Sequence, residues 1–250
     1  MNKKKFSDAM SEIDNKYVDE AILYQHKSKK RGWVKWGALA ACLVLAIGIP
    51  MAIPQEEIVL SNNSADVTVK YANLPFYFGP GSGSQIYLSE EELFTEYDTA
   101  IFKGTITDID NIVLDFKGSR TYRAIAKIEV EKDYRGPCQE GEIVTVLLPG
   151  PIAFGFQTQD TDIIAKMKVG MTGIFMPMIY DEASAREENG ATLMLKDIAD
   201  YGLPDGNRFV FLETKNGLVF SRTAYESIED AATLEQIDEY VLKMTGSSEH

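Results

Sequence analysis

The sequence predicts a mainly β protein of the α+β kind, in which one transmembrane helix is followed by a small antiparallel β-barrel with short flanking helices. Three observations carry that expectation. Residues Trp36 to Ile53 form an eighteen-residue run without a charged side chain. Beyond residue 100 the apolar period changes from three and four to two. Turn residues such as Gly118, Gly141, Pro149-Gly150-Pro151 and Asn216-Gly217 then cut that region into short strands.

The apolar run comes first in the argument because it divides the chain. As a helix rising ~1.5 Å per residue it covers ~27 Å, close to the ~30 Å hydrocarbon core of a bilayer. A buried core helix normally keeps one polar stripe, whereas the most polar side chain here is Cys42. Leu39-Ala40-Ala41-Cys42 has the composition of a lipobox, but the apolar run continues eleven residues past the cysteine, so the match reads as coincidence. No small-x-small site supports cleavage after Ala52, and the segment reads as a retained anchor. Residues 1–35 hold nine basic and five acidic residues, while the other flank runs Pro54, Gln55, Glu56, Glu57. The positive-inside tendency therefore places the N-terminus in the cytoplasm and the C-terminal part outside the cell membrane. Trp33, Lys35 and Trp36 fall at the expected membrane interface, where an apolar body with a polar tip is favoured.

The net charge of −13 conceals an asymmetry, because residues 54–250 carry sixteen basic and thirty-three acidic side chains. Such an outer part repels phosphates, which excludes nucleic acid as a partner. The basic stretch before the span suits anionic lipid headgroups, making the bilayer itself a partner. Cys42 lies in the span and Cys138 beyond it, so no intrachain disulfide is expected. The expected organisation is a cytoplasmic leader over 1–35, the transmembrane helix over 36–53, a linker over 54–88 and a β-rich domain over 89–246.

In the leader, Phe6, Ala9, Met10, Ile13, Tyr17, Ala21 and Tyr24 recur at the spacing of one helix face. Asp8, Glu12, Asp14, Lys16, Asp19 and Glu20 stand between them. Membrane-surface helices place Lys and Arg on the polar face, so an acidic face points to a cytoplasmic protein contacted through Phe6, Met10, Ile13, Tyr17 and Tyr24; an interfacial helix on the bilayer is the alternative. The leader KKKFSDAMSEIDNKYVDEAILYQ, the basic linker and the AAC-containing span resemble the front end of anti-sigma-like bacterial single-pass membrane proteins. That resemblance implies a sigma-factor-like cytoplasmic partner. It is to the zinc-free type, since the leader has only His26 and no cysteine, and one helix is shorter than a complete sigma-binding domain.

In the outer part, Ser89-Glu90-Glu91-Glu92 is a capping box that starts a short helix reaching about Tyr97. Ala100, Phe102, Gly104 and Ile106 share one strand face. Tyr122, Ala124, Ala126, Ile128 and Val130 share another, opposed by Arg123, Lys127, Glu129 and Glu131 on the solvent side. Asp115 to Ser119 is the connecting turn. Further strands are expected over 143–148, over 174–180 with Pro177 marking an edge or bulge, over 191–196, and in a hairpin of 208–213 with 218–220. Thr233-Leu234-Glu235-Gln236 opens a last helix whose stripe is Leu234, Ile237, Val241 and Met244. The order of Gly104 strand, strand ending Tyr134-Arg135-Gly136, Gly141 strand and Val169-Gly170 before an apolar strand resembles OB-like β-barrels. This resemblance implies a fold and no particular ligand.

Chemistry is sparse. Only His250 lies beyond the span, which disfavours triads built on histidine, and no hydrolase, zinc, Cys-x-x-Cys or dinucleotide motif is present. Gly79 to Ser84 lacks the lysine of a phosphate loop. Cys138 follows a proline in a turn without a nearby base and reads as a free structural thiol. The pairs Asp108/Asp110 and Asp160/Asp162 read as solvated surface acids. The expectation is a non-enzymatic protein with no catalytic residues, no cofactor and no metal: a membrane-anchored regulator whose outer domain senses or stabilises. The alternative is a cell-surface binding module for an envelope ligand, with Phe76, Tyr77, Phe78, Phe154 and Phe156 on its ligand face.

Overall fold

The computed structural model describes residues 56–72, 86–152 and 162–246. Two compact units divide the chain, Met1–Pro54 and Gln55–His250, and every described residue belongs to the second. The leader and the apolar run therefore lie outside the described residues. Among the described residues no helix is long and apolar enough to cross a membrane.

The second unit is mainly β. In chain order come β1 (Val67–Tyr71), α1 (Glu90–Thr95), β2 (Ile101–Phe116), β3 (Ser119–Arg135), β4 (Ile143–Leu148), β5 (Thr172–Phe175), β6 (Met178–Ile179), β7 (Ala185–Glu188), β8 (Ala191–Met194), β9 (Tyr201–Gly202), β10 (Val210–Thr214), β11 (Gly217–Val219) and α2 (Leu234–Thr245). Nine strands make one curled sheet in the order β11-β10-β5-β2-β3-β4-β9-β6, with β1 added to the far half of β2, and β7 pairs with β8 apart from it. The pairing of β4 with β9 is parallel and the others in that sheet are antiparallel. The sheet bends back on itself: β6 carries a bridge from Met178 to Thr99, just ahead of β2. Gly104 and Gly173 face each other across β2 and β5. A side chain on either would meet a neighbouring backbone carbonyl, of Glu129 at 2.5 Å or of Phe211 at 2.7 Å.

The β2–β3 hairpin organises the unit. Its two-residue turn places Lys117 at φ 52° and Gly118 at φ 92°, the arrangement whose twist matches that of antiparallel strands, and Asp115 accepts a hydrogen bond from the Gly118 amide at 2.6 Å. The register shifts between Ile106 and Asp108, leaving Thr107 as an extra residue. Side chains alternate with period two, so one inserted residue moves the later even-numbered positions of β2 to the other face. Before the bulge, Phe102 and Ile106 join Ala124, Ala126 and Ile128 in the larger core. After it, Ile112, Leu114 and Phe116 join Ile125 in a second core with Val69, Leu193 and Ile198.

Several expectations meet the coordinates directly. The strand over 143–148 forms with those bounds, and both capping boxes form, Ser89 with Glu92 and Thr233 with Gln236. The expected strand over 174–180 is split at Met176-Pro177 into β5 and β6, because proline cannot donate to a ladder. Segment 54–88, expected as a linker, contributes β1, which pairs along Ile112–Phe116. Its Ser61-Asn62-Asn63-Ser64 stretch is tied down as well, with the Ser61 amide, the Ser61 hydroxyl and the Ser64 hydroxyl all donating to Asp197 at 3.0, 2.9 and 2.6 Å. Arg123, expected on the solvent face of β3, is half-buried beside the second core instead, since the β7–β8 hairpin covers that half of the sheet.

Candidate functional site

Covering the polar face of β3 leaves a half-open cavity of about 160 Å³. Arg123 of β3, Tyr180 just after β6 and Arg186 of β7 supply its polar groups, and Leu114, Leu147, Leu203 and Pro204 supply much of its wall. Each is placed by a separate constraint. Arg123 follows the strand alternation opposite Ile112, and its Nη1 donates to the Pro149 carbonyl at the end of β4. Arg186 lies over the Phe116 ring at 5.2 Å and donates to Glu188 at 2.5 Å and to Thr121 at 3.3 Å. Tyr180 fits because residue 202 is glycine: a Cβ there would stand 1.7 Å from the phenol oxygen.

The electrostatics of this cavity run against those of its surroundings. Burial lowers the Arg123 pKa to about 10, and repulsion from Arg186 works in the same direction; Tyr180 and Glu188 offset part of it. Arg123 still carries its charge at neutral pH, and among the described residues it makes no ion pair. Glu188, the nearest compensating acid, is engaged by Ser119 and then by Arg186, and its carboxyl is held below the ordinary range. The cavity therefore holds two guanidiniums against one engaged carboxylate. Burial raises the Tyr180 phenol, with both guanidiniums opposing, so it stays a neutral donor. Two forked cations beside a hydroxyl donor and a leucine wall are suited to holding an anion in place.

The expected site residues distribute as follows. Phe6, Met10, Ile13, Tyr17, Tyr24, Trp33, Lys35 and Trp36 lie outside the described residues, as do Phe76, Tyr77, Phe78, Phe154, Phe156 and Asp160. Asp108 and Asp110 flank Lys127 at 2.7 and 3.4 Å on an exposed part of the hairpin, and Asp162 is exposed. Cys138 is a buried free thiol donating to the Tyr201 hydroxyl at 3.3 Å, with burial pushing its pKa up. Among the described residues no group of three His, Cys, Asp or Glu stands close enough to hold a metal ion. Sequence reasoning missed Arg123, Tyr180 and Arg186 as a group, since they come from three separate elements and no local spacing connects them. The Asn189-Gly190 dipeptide, a hairpin signal just after Arg186, was the one available hint of a covering element.

No protein family matches the chain, and neither any curated protein nor any solved structure does.

Proposed function

We propose that this chain is a membrane-anchored, non-enzymatic regulator of bacterial type. Its cytoplasmic helix contacts a sigma-factor-like or other regulatory protein through Phe6, Met10, Ile13, Tyr17 and Tyr24. Residues 36–53 span the cell membrane, with Trp33, Lys35 and Trp36 at the interface, and an OB-like barrel outside acts as the sensing half. The strand circuit supports the OB-like reading: β2, β3 and β4 are joined in succession, β4 lies parallel to β9, and β6 returns to the leading end of β2.

The observation that carries the sensing role is the Arg123/Tyr180/Arg186 cavity, which sets the charged Arg123 guanidinium beside a neutral Tyr180 phenol, neither of which transfers a proton near neutral pH. The uncharged run between a basic leader and an acidic remainder supports the anchor and its direction. A cell-surface binding module, in which the leader merely anchors, uses the same cavity and differs only inside the cell.

One experiment separates the two: a photocrosslinking residue at position 17 in living cells, read by mass spectrometry, combined with protease added to intact cells. Capture of one cytoplasmic protein, with the C-terminal part digested from outside, is the expected result. Capture of lipid alone leaves the binding module. A C-terminal part protected until lysis overturns both readings.

A further inference from the structure

We propose that the cavity beneath the β7–β8 hairpin binds a small carboxylate with an apolar body. The carboxylate sits between Arg123 and the Tyr180 hydroxyl, with Arg186 beside it, and the body lies on Leu114, Leu147 and Leu203. This names the ligand chemistry of the sensing half and rests on that reading.

Four features of the site lead there. Arg123, half-buried beside a second arginine, makes no ion pair among the described residues, and an incoming anion supplies the missing counter-charge. Among the described residues the Tyr180 hydroxyl makes no hydrogen bond and is not sealed from water, so this donor, within electrostatic reach of both guanidiniums, is open to an incoming acceptor. Size favours a small ligand: about 160 Å³ equals roughly five water volumes at ~30 Å³ each, below the ~300 Å³ of pockets that take drug-sized ligands. The wall decides between anions, since leucine and proline side chains give hydrated phosphate no partners but give an aliphatic chain a dry surface.

The test is isothermal titration of the full-length protein, purified in non-ionic detergent, with sodium 3-methylbutanoate. Its uncharged counterpart 3-methylbutanamide and inorganic phosphate are titrated alongside. The expected result is saturable binding of the acid, with amide and phosphate at least about tenfold weaker. Arg123→Met then weakens the acid by on the order of 10–100-fold, and Tyr180→Phe by about 3–10-fold. The second variant removes one oxygen and carries the test alone if the first does not fold. Equal binding of acid and amide, stronger binding of phosphate, unaltered affinity in Tyr180→Phe, or no binding of the acid to folded protein overturns the proposal. Calorimetry in detergent does not depend on which side of the membrane the unit occupies, so this failure is distinct from failure of the topology.

Discussion

Arg123 holds a charge at a place where a hydrocarbon would serve folding better. Lowering of its pKa from the usual guanidinium range to about 10 corresponds to a cost on the order of 3 kcal/mol, present wherever the side chain is protonated in both states, that is below about pH 10. Its hydrogen bond to the Pro149 carbonyl, made by a charged donor, returns about 1.5–3 kcal/mol and offsets much of that cost. The neighbouring constraint is testable at the same scale. Gly202→Ala places a methyl 1.7 Å from the Tyr180 oxygen and 2.3 Å from the ring carbon bearing it, so the ring must leave its position. The expected loss is about 1–3 kcal/mol in urea unfolding, partly recovered in the Gly202→Ala/Tyr180→Leu double variant. Strict additivity of the two changes would show that the contact is not the cause. Neither residue was legible as a pair. They stand twenty-two positions apart, and only the antiparallel pairing of Ile179 with Tyr201 brings them together.

At the scale of elements, the β7–β8 hairpin decides whether the cavity exists. Its tip interlocks with the tip of β2–β3: the Asn189 amide donates to the Phe116 and Lys117 carbonyls at 3.1 and 3.2 Å, and Lys117 Nζ donates to the Gly190 carbonyl at 3.1 Å. Asn189 also occupies φ 51°, a conformation that asparagine tolerates and alanine resists. Asn189→Ala should therefore cost about 2 kcal/mol, combining two hydrogen bonds with the left-handed backbone. Amide exchange should speed up in residues 185–194 before it does in β2 and β3. Uniform acceleration throughout the sheet would argue that the hairpin is not a separable cover. Much of the element plan was readable in advance. The Ser89 and Thr233 caps and the Asp115–Ser119 turn are local chemistry, and local chemistry survives folding unchanged. The Thr107 bulge and the strand role of Val67–Tyr71 were not readable, because a bulge is a relation between two strands and β1 is short, with no turn dipeptide to announce it.

Across the whole described unit, acids engaged by hydrogen bonds set the pH response. On Glu90 burial acts upward but is outweighed by Ser227 and Tyr240, and on Asp200 it is outweighed by Thr145; both carboxyls end below their ordinary values of 4.5 and 3.8. A lowered folded-state pKa means stability present above the unfolded value and lost as pH falls through the folded one. Asp133 runs the other way, since burial alone raises it. The melting temperature followed by circular dichroism should thus be steady with respect to Glu90 and Asp200 above about pH 5 and decline below about pH 4. Glu90→Gln should lower it at pH 7 and flatten the acid decline. A variant whose acid slope matches the parent would remove Glu90 from the account.

Sequence alone determined the division of the chain by charge and hydropathy, the mainly β character of the larger unit, and the starts of both described helices. These follow from properties each residue carries with it: transfer free energy, side-chain alternation and the reach of a capping oxygen. Tertiary structure alone decided which polar face became an interior. Arg123 alternates with Ala124 as any solvent-facing arginine would, and it is half-buried only because a bulge at Thr107 turns the hairpin's later apolar residues to its side and a distant hairpin then covers them.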